Sequence, residues 1–399
     1  MADPKVCFIS YNIPPDYSGA GKRAWKQAKY LAAQGMEVIF ITVSDNREIV
    51  TNLKLLRIRM PINYMEDSVK GVMIRQGYNP VLFVRMLWLL LKHRVKLIHS
   101  LPAFSWLSFN AVLAGKVLGI KSITETTLEG ADDPVAIKKS NLGWIKVYMF
   151  RIAAVVVNIS PLLDERCREA GIPGHKLRLI PNNIDTNKFS PPGPDEKIAL
   201  REKLDLIDCD YIYIYVGIMR ERKRIAELIE AFRISQEEVK NCSLLLVGPV
   251  NKDEENRQYY RHLRAQVDNK SLTEKVIFTG EVNNIEEWLK ASDTFLFASR
   301  REGLPNAVIE AASCGLPVVA MNIPKIMDYI FDNESESGII TDNFEQFTAA
   351  MIRLARDRDY CERISVNARK RAEKKFSDRV VMDSYRELYQ ELLHKGEGK

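Results

Sequence analysis

The stretch that most constrains the fold runs from Thr294 to Ala320. It opens with Thr294–Ala298, a short apolar run of strand length. Pro305 suits the first turn of a helix, where its missing N–H costs nothing, and Gly315 is a typical helix stop. Because Leu316–Ala320 is apolar again, the stretch predicts a strand, a turn, a helix and a second strand that lies parallel to the first.

Two carboxylates mark this stretch. Glu302 lies in the turn and Glu310 follows it on the predicted helix, with seven residues between them. Ionised carboxylates only accept hydrogen bonds, which suits hydroxyl donors, and the amides at a helix N-terminus favour an anion. The pattern therefore indicates a site for a polyol phosphate. Two surface glutamates on an ordinary α/β unit are the alternative.

The same strand–loop–helix pattern runs through both halves of the chain. In the first half, the strand Val6–Ser10 leads into a loop that ends at Gly19 and Gly21, and a helix follows over Trp25–Ala33. In the second half the pattern restarts at Tyr211–Val216, a strand that Gly217 ends. A chain of 399 residues is long enough for about two to three domains. We therefore expect two doubly wound α/β domains, residues 1–190 and 191–377.

The charge of the chain is uneven. Residues 1–195 hold 26 Lys and Arg against 16 Asp and Glu, whereas the remainder holds 32 against 36. A basic N-terminal half predicts an anionic partner, either a phosphate-bearing or acidic substrate or an anionic membrane surface; ordinary solvated surface is the alternative. No arginine-rich aromatic cluster accompanies the charge, so we expect no nucleic acid partner.

One predicted helix, Asn79–Lys96, is apolar around most of its surface and basic at its end. It is either a core helix or a helix that lies against a membrane. Its apolar run, Val81–Leu91, is interrupted by Arg85 and is too short to span a bilayer. Because Lys5–Ser10 leads directly into a core strand, we expect no signal peptide.

The cysteines and histidines are dispersed along the chain. Six cysteines without a close pair favour reduced thiols, so we expect a cytoplasmic protein, at most peripheral on the inner face of the membrane. The five histidines show no spacing typical of a metal site.

The motif in the Thr294–Ala320 stretch resembles the donor-sugar motif of glycosyltransferase family 4, retaining enzymes of the GT-B fold. The matching residues are Glu302-Gly303, Pro305, Glu310-Ala311 and Cys314–Val319. The resemblance covers nearly the whole chain and is strongest over residues 155–330. It implies two Rossmann-like domains facing each other across a cleft, and a C-terminal helix within 378–399 that packs back on the first domain.

The resemblance also implies an activity. We expect a hexosyltransferase that moves a sugar from a nucleotide-sugar donor, with UDP favoured over GDP, to an acceptor that the sequence does not identify. A lipid-linked sugar, a polysaccharide, a protein and a small metabolite all fit. No cofactor or metal ion is expected, since the nucleotide sugar is a substrate and the resemblance implies a metal-independent reaction.

Roles for the donor side follow from the resemblance. Glu310 is expected to bind the ribose hydroxyls and Glu302 the sugar hydroxyls, while Arg220 and Lys223 neutralise the leaving diphosphate. Arg220 stands in for the arginine that most members carry at the position of Ile218, and Arg222 and Arg224 are interpreted as solvated or peripheral. Residues expected to approach the donor through their backbone are Gly19, Gly21, Gly217, Gly303, Leu304, Pro305 and Asn306.

The first half departs from the family pattern. Many members carry a donor-contacting histidine at the end of the strand that here reads Ser122–Thr126, and this chain has none there. Glu125 and Thr126, followed by Glu129, Asp132 and Asp133, stand in its place. Together with His99, which ends the preceding strand, Glu125 and Thr126 are candidates for the acceptor or sugar side. A solvated acidic loop is the alternative.

Two other classes of function stay open. One is another GT-B enzyme such as a nucleotide-sugar epimerase, and the other is a non-catalytic sugar-nucleotide-binding protein, which Ile218 and the missing histidine favour. A nicotinamide-dependent oxidoreductase is disfavoured, because neither glycine turn has the spacing of a dinucleotide fingerprint.

Overall fold

The computed structural model describes residues 5–13, 19–43, 53–60, 69–103, 105–130, 133–140, 142–250, 253–331 and 336–394. The chain forms two units. The first consists of Met1–Asn182 with Met382–Lys399, and the second of Asn183–Val381. Asp132 and part of the loop before Gly19 lie outside the described residues.

The first unit is a doubly wound α/β structure. Its elements are β1 Val6–Ile9, α1 Gly19–Ala33, β2 Val38–Thr42, β3 Lys54–Arg57, α2 Val69–Lys92, β4 Leu97–Ser100, α3 Trp106–Leu118, β5 Lys121–Thr126, α4 Pro134–Lys138, α5 Gly143–Ile152, β6 Val155–Asn158, α6 Pro161–Glu169 and β7 Leu177–Leu179. The strands form a parallel sheet in the order β3-β2-β1-β4-β5-β6-β7.

Both faces of this sheet are buried, as is usual for a parallel sheet. Successive side chains of β1 point to opposite faces, so Cys7 and Ile9 pack with α2 and α3. On the other face Phe8 lies beside His99 of β4, with ring centroids 5.0 Å apart. Trp25 of α1 packs against Phe40 of β2 on that same face, at 5.4 Å.

The second unit repeats the architecture. Its elements are α7 Pro194–Lys203, β8 Tyr211–Val216, α8 Ile225–Glu238, β9 Cys242–Val247, α9 Glu254–Asn269, β10 Val276–Gly280, α10 Ile285–Ala291, β11 Thr294–Phe297, α11 Asn306–Ser313, β12 Val318–Met321, α12 Met327–Ile330, β13 Ile339–Thr341, α13 Phe344–Arg356, α14 Arg358–Phe376 and α15 Asp378–His394. The sheet order is β10-β9-β8-β11-β12-β13, all parallel. From Met382 onward, α15 belongs to the first unit. The prediction of two doubly wound α/β units is confirmed.

Two helix starts differ from the sequence-based expectation. Helix α1 begins at Gly19 rather than Trp25, so Gly19 and Gly21 lie in its first turn. Helix α2 begins at Val69 rather than Asn79 and ends at Lys92, with Pro80 inside it. Pro80 is exposed, and proline within a helix is tolerated when the packing of the remaining turns outweighs the lost hydrogen bond. No helix within the described ranges is both long and apolar enough to cross a membrane.

Candidate active site

The candidate site of the second unit lies where its sheet reverses. Strand β8 has β9 on one side and β11 on the other, and ligands of open α/β sheets bind at the carboxyl ends of strands at such a switch point. The loop after β8, residues 217–224, meets the loop after β11, residues 298–305, through a hydrogen bond from the Arg300 amide to the Arg222 carbonyl (2.9 Å). The two loops that carry most of the predicted donor residues are therefore neighbours.

Glu302 is the centre of this meeting point. It is buried, and its Oε1 accepts hydrogen bonds from Arg222 Nη1 at 2.9 Å and Ser299 Oγ at 2.7 Å. The Nζ of Lys223 donates to the same oxygen. Arg222 also donates to the Arg301 carbonyl at 2.7 Å, which fixes the turn that holds Glu302. The predicted pair Glu302 and Lys223 thus lies in direct contact.

Burial and charge act in opposite directions on Glu302. Burial by itself raises the pKa of the carboxyl, but the adjacent Lys223 and Arg222 cations and the hydrogen bonds from Lys223 and Ser299 bring that pKa below its ordinary value. Burial lowers the pKa of Lys223, against the attraction of the Glu302 carboxylate. Glu302 is therefore ionised at neutral pH and acts as a hydrogen-bond acceptor, in a cluster whose two cations outnumber its one anion.

The interpretation of Arg222 as a solvated or peripheral cation is wrong. Its guanidinium is bound to Glu302 and Arg301, because the loop after β8 folds directly against the turn after β11. Arg224 is engaged elsewhere: its Nε lies 3.0 Å from Glu227, and its guanidinium lies 4.4 Å from the ring centroid of Phe344. Arg220 precedes the short turn Glu221–Lys223 and is half-buried.

Glycine is required where β8 and β9 end. A Cβ at Gly248, whose φ is +140°, would lie 2.1 Å from the Gly217 carbonyl oxygen. A Cβ at Gly217 would lie 2.6 Å from the hydroxyl of Tyr215. The two strand ends pack backbone against backbone, and this contact fixes the start of the loop that carries Arg220 and Lys223.

Helix α11 begins directly after the Glu302 turn. Pro305 is its N-cap and provides no side-chain cap, so the first-turn amides depend on other partners. Gly303, Leu304 and Pro305 are buried, Asn306 is exposed and Glu310 is half-buried on the helix. The turn and the helix start predicted for donor binding are thus continuous with the Glu302 cluster.

The candidates of the first unit lie in its interior. His99 and Glu125 are fully buried and bound to each other, with His99 Nε2 at 2.8 Å from Glu125 Oε1. Tyr385 of α15 donates to the same oxygen at 2.5 Å, and Arg23 of α1 forms an ion pair with Oε2 at 2.9 Å. Tyr389 contacts His99 Nδ1 at 2.6 Å. This corrects the expectation for Glu125 and His99, whose polar atoms bind protein groups rather than opening toward a sugar.

Thr126 is also buried at the end of β5. Its hydroxyl donates to the Asn158 carboxamide on the neighbouring strand β6 at 2.8 Å, and Asn158 donates in turn to Asp164 at 3.2 Å. Thr126 therefore joins the ends of two strands.

Gly19 and Gly21 form the first turn of α1, the part of a helix that favours an anion, and their role at the donor phosphates stays a prediction.

Ser299, Arg23, Tyr385 and Tyr389 were missed at the sequence level, and Arg222 was misread. Their partners lie between 79 and 362 residues away along the chain or on the other side of a turn, and no local pattern marks such pairs. Two Asp-x-Asp triplets, residues 208–210 and 357–359, have exposed aspartates. Across the described parts of the chain, no group of three or more His, Cys, Asp or Glu side chains is arranged to hold a metal ion.

Solved structures place this architecture in a known class. Anabaena HepE in complex with UDP and glucose superposes with a TM-score of 0.76 at 17% identity, covering 96% of this chain and 99% of that one. The sucrose-phosphate synthase of Thermosynechococcus elongatus gives a TM-score of 0.79 at 18% identity, covering 98% and 100%. The fold is that of the GT-B glycosyltransferases.

Family models make the identification more specific. Residues 17–188 match the model described as Glycosyltransferase Family 4, and residues 196–371 match Glycosyl transferases group 1. Outside the two matches lie only residues 1–16, 189–195 and 372–399. The chain belongs to glycosyltransferase family 4.

Curated relatives are distant but extend over most of the chain. The N-acetyl-alpha-D-glucosaminyl L-malate synthase of Bacillus anthracis is 23% identical over 96% of this chain and 97% of its own. The alpha-galactosylglucosyldiacylglycerol synthase of Streptococcus pneumoniae is 25% identical over 73% and 80%. The UDP-Gal:alpha-D-GlcNAc-diphosphoundecaprenol alpha-1,3-galactosyltransferase of Escherichia coli is 24% identical over 83% and 86%.

Proposed function

We propose that this glycosyltransferase is a retaining, metal-independent hexosyltransferase that uses a UDP-sugar donor and serves cell-surface glycan or glycolipid synthesis. The observation that carries the proposal is the buried Glu302 carboxylate held by Lys223 and Arg222 at the switch point of the second sheet. Support for the donor comes from the UDP and glucose bound to HepE. Support for the acceptor class comes from relatives named for diacylglycerol and diphosphoundecaprenol substrates.

The cluster suits the departure of a nucleoside diphosphate. As the bond from the sugar C1 to the β-phosphate oxygen breaks, negative charge grows on the diphosphate, and fixed cations stabilise it most at that moment. Lys223 and Arg220 supply those cations. The acceptor oxygen forms its bond to C1 on the same face, and its proton passes to the departing diphosphate.

The two glutamates hold the donor at its two polyol parts. Glu302 is ionised and positioned by three donors to its Oε1, so it binds sugar hydroxyls as an acceptor. Glu310, one helix turn into α11, binds the ribose hydroxyls. The backbone N–H groups of Gly303, Leu304 and Asn306 lie between the two glutamates in the chain and approach the diphosphate, whereas Pro305 has none to donate.

A donor screen tests the proposed function. Purified protein is incubated with UDP- and GDP-sugars and a mixture of lipid-linked, glycan and metabolite acceptors, with and without a metal chelator. We expect UDP release that depends on an acceptor and survives chelation, with an NMR spectrum that shows a product of unchanged anomeric configuration. Inverted product would contradict retention. Nucleotide binding without transfer or donor hydrolysis would favour a binding protein instead.

Glu310→Ala should weaken the binding of UDP. The ribose hydroxyls lose their acceptor, and the loss of one such partner costs roughly 1–3 kcal/mol, which is about a 5- to 150-fold rise in Kd. Isothermal calorimetry with UDP measures it. Glu255→Ala, an exposed glutamate on α9, is the matched control and should bind as the wild type does. An unchanged affinity in Glu310→Ala would contradict the ribose assignment.

A further inference from the structure

Helix α2 presents apolar side chains to solvent as well as to the core. On the inner side of the helix, Leu82, Met86 and Leu90 are buried. On the opposite side Val81, Val84, Trp88 and Leu91, spaced by three, four and three residues, are 45%, 63%, 56% and 60% exposed. This spacing forms one continuous stripe along the helix. A surface helix normally carries polar residues on its exposed side. We therefore expect this apolar stripe to contact a partner.

Helix α5 repeats the feature with aromatic side chains. Trp144 and Tyr148, one turn apart, are 71% and 52% exposed, while Val147 and Phe150 are buried. Tryptophan and tyrosine combine a large apolar body with a polar tip, which suits the boundary between hydrocarbon and water. The outer side of α5 therefore has the same character as that of α2.

Both helices belong to one layer of the first unit. Helices α2, α3 and α5 each connect strands that advance in the same direction across the sheet, from β3 to β4, β4 to β5 and β5 to β6. Right-handed crossovers place such helices on the same face. Helix α3 packs with α2 in one apolar cluster and with α5 in another. We call the exposed side chains of α2 and α5 in this layer the docking face: Val81, Val84, Trp88, Leu91, Trp144 and Tyr148.

The charge of this layer indicates which partner binds the docking face. The sequences of α2, α3 and α5 contain seven Lys or Arg residues and no Asp or Glu. Lys92, Lys116 and Arg151 are exposed, and Lys92 Nζ lies 4.3 Å from the ring centroid of Trp88. Basic side chains beside exposed aromatic and aliphatic residues complement an anionic lipid surface. A second copy of the chain would bring basic layer against basic layer, which like charges oppose.

We infer that the docking face binds the surface of an anionic lipid bilayer. The aromatic and aliphatic side chains enter the headgroup region, and Lys92, Lys116 and Arg151 pair with lipid phosphates. This surface belongs to the first unit and needs no nucleotide sugar, so its test is independent of the proposed function.

Vesicle sedimentation tests the docking face. The full chain is mixed with vesicles of phosphatidylcholine, alone or with phosphatidylglycerol, at low and high salt. We expect sedimentation with the anionic vesicles only, release as salt rises, and a blue shift of tryptophan emission on binding. Trp88→Gln/Trp144→Gln should lower the partition coefficient by roughly tenfold or more, since each buried aromatic contributes strongly to transfer.

Two further variants separate charge from apolar contact. Lys92→Gln/Lys116→Gln/Arg151→Gln should remove the preference for anionic over neutral vesicles. Ile198→Gln/Val366→Gln replaces exposed apolar residues on helices of the second unit, 58% and 44% exposed, and should sediment as the wild type does. All variants should keep the wild-type thermal unfolding, because the replaced side chains lie on the surface.

Four results would overturn the inference. The wild type would stay in the supernatant with anionic vesicles, or sediment equally with neutral ones, or the double tryptophan variant would bind undiminished. A concentration-dependent dimer in analytical ultracentrifugation that Trp88→Gln/Trp144→Gln abolishes would assign the docking face to self-association instead.

Discussion

Replacing Lys223 by alanine should lower the turnover of this glycosyltransferase by about two to three orders of magnitude, the loss typical of one preorganised electrostatic donor. Donor affinity should fall much less, because charge grows on the diphosphate only as the bond breaks. Arg222 and Ser299 still bind Glu302 in this variant, so the carboxylate stays ionised and the loss reports the missing cation. Steady-state kinetics and UDP binding, measured on the same preparation, separate the two effects.

Arg224→Asn is the matched control for Lys223→Ala. It removes a neighbouring cation whose contacts are Glu227 and Phe344 rather than Glu302, and asparagine tolerates the left-handed φ of 57° at this position. It should keep turnover close to that of the wild type. Equal losses in kcat and in UDP affinity for Lys223→Ala would contradict a role confined to the transition state.

Arg220→Ala belongs to the same test. Arg220 lies two residues beyond Ile218, where the resemblance to the family leads us to expect an arginine, and we expect Arg220 to share the leaving-group charge with Lys223. Its replacement should also reduce kcat more than affinity. A full rate in Arg220→Ala would show that the diphosphate charge is met by other groups and that Ile218 is a real departure from the family mechanism.

The parts of the fold that were predictable are those with local causes. Strand β8 is an apolar run ended by Gly217, and α11 follows Pro305 and ends before Gly315, so apolar runs and turn residues mark them without knowledge of the rest of the chain. The start of α2 was missed because Pro80 is a common helix opener. Its place inside a helix depends on tertiary packing by Leu82, Met86 and Leu90, which the local sequence does not reveal.

The candidate site was predictable in its motif but not in its contacts. Glu302 and Lys223 were found because both lie in motifs of the family. Arg222 was misread because three cations follow one another, and only the fold determines which of them reaches a carboxylate 80 residues later. Glu125 was misread for the same reason, since its partners Arg23 and Tyr385 come from opposite ends of the chain.

Glu125→Gln should destabilise the first unit by about 3–5 kcal/mol. The carboxylate is fully buried and binds Arg23, His99 and Tyr385, and removing one partner of a buried ion pair leaves an uncompensated charge. Urea unfolding followed by tryptophan fluorescence, together with hydrogen exchange of β5 and α15, measures the change. Exchange is needed because two units need not unfold in a single transition.

The pH dependence gives an independent measure of the same network. Burial raises the pKa of Glu125, but the Arg23 charge, the electrostatic interaction with His99 and the hydrogen bonds from His99 and Tyr385 outweigh it and lower this pKa to about 2. The folded-state pKa is below the unfolded value of about 4.3, so the stabilisation is present above that value and is lost as the pH falls toward 2. Wild-type protein should lose about 3 kcal/mol of first-unit stability over this interval on account of Glu125. Glu125→Gln should lack this component.

Two comparisons make the Glu125 prediction specific to a buried charge. Glu129→Gln removes the partner of Arg166 from a partly exposed pair and should cost no more than about 1 kcal/mol. Glu125→Gln/Arg23→Met removes both charges, so it should recover part of the stability that Glu125→Gln loses, since no buried cation is left without its anion. The free energy lost on Arg23→Met alone gives the reference for this comparison. If Arg23→Met lowers stability by the same amount in the Glu125→Gln variant as in the wild type, the two residues act independently. The network would then stabilise the fold through packing rather than through charge pairing.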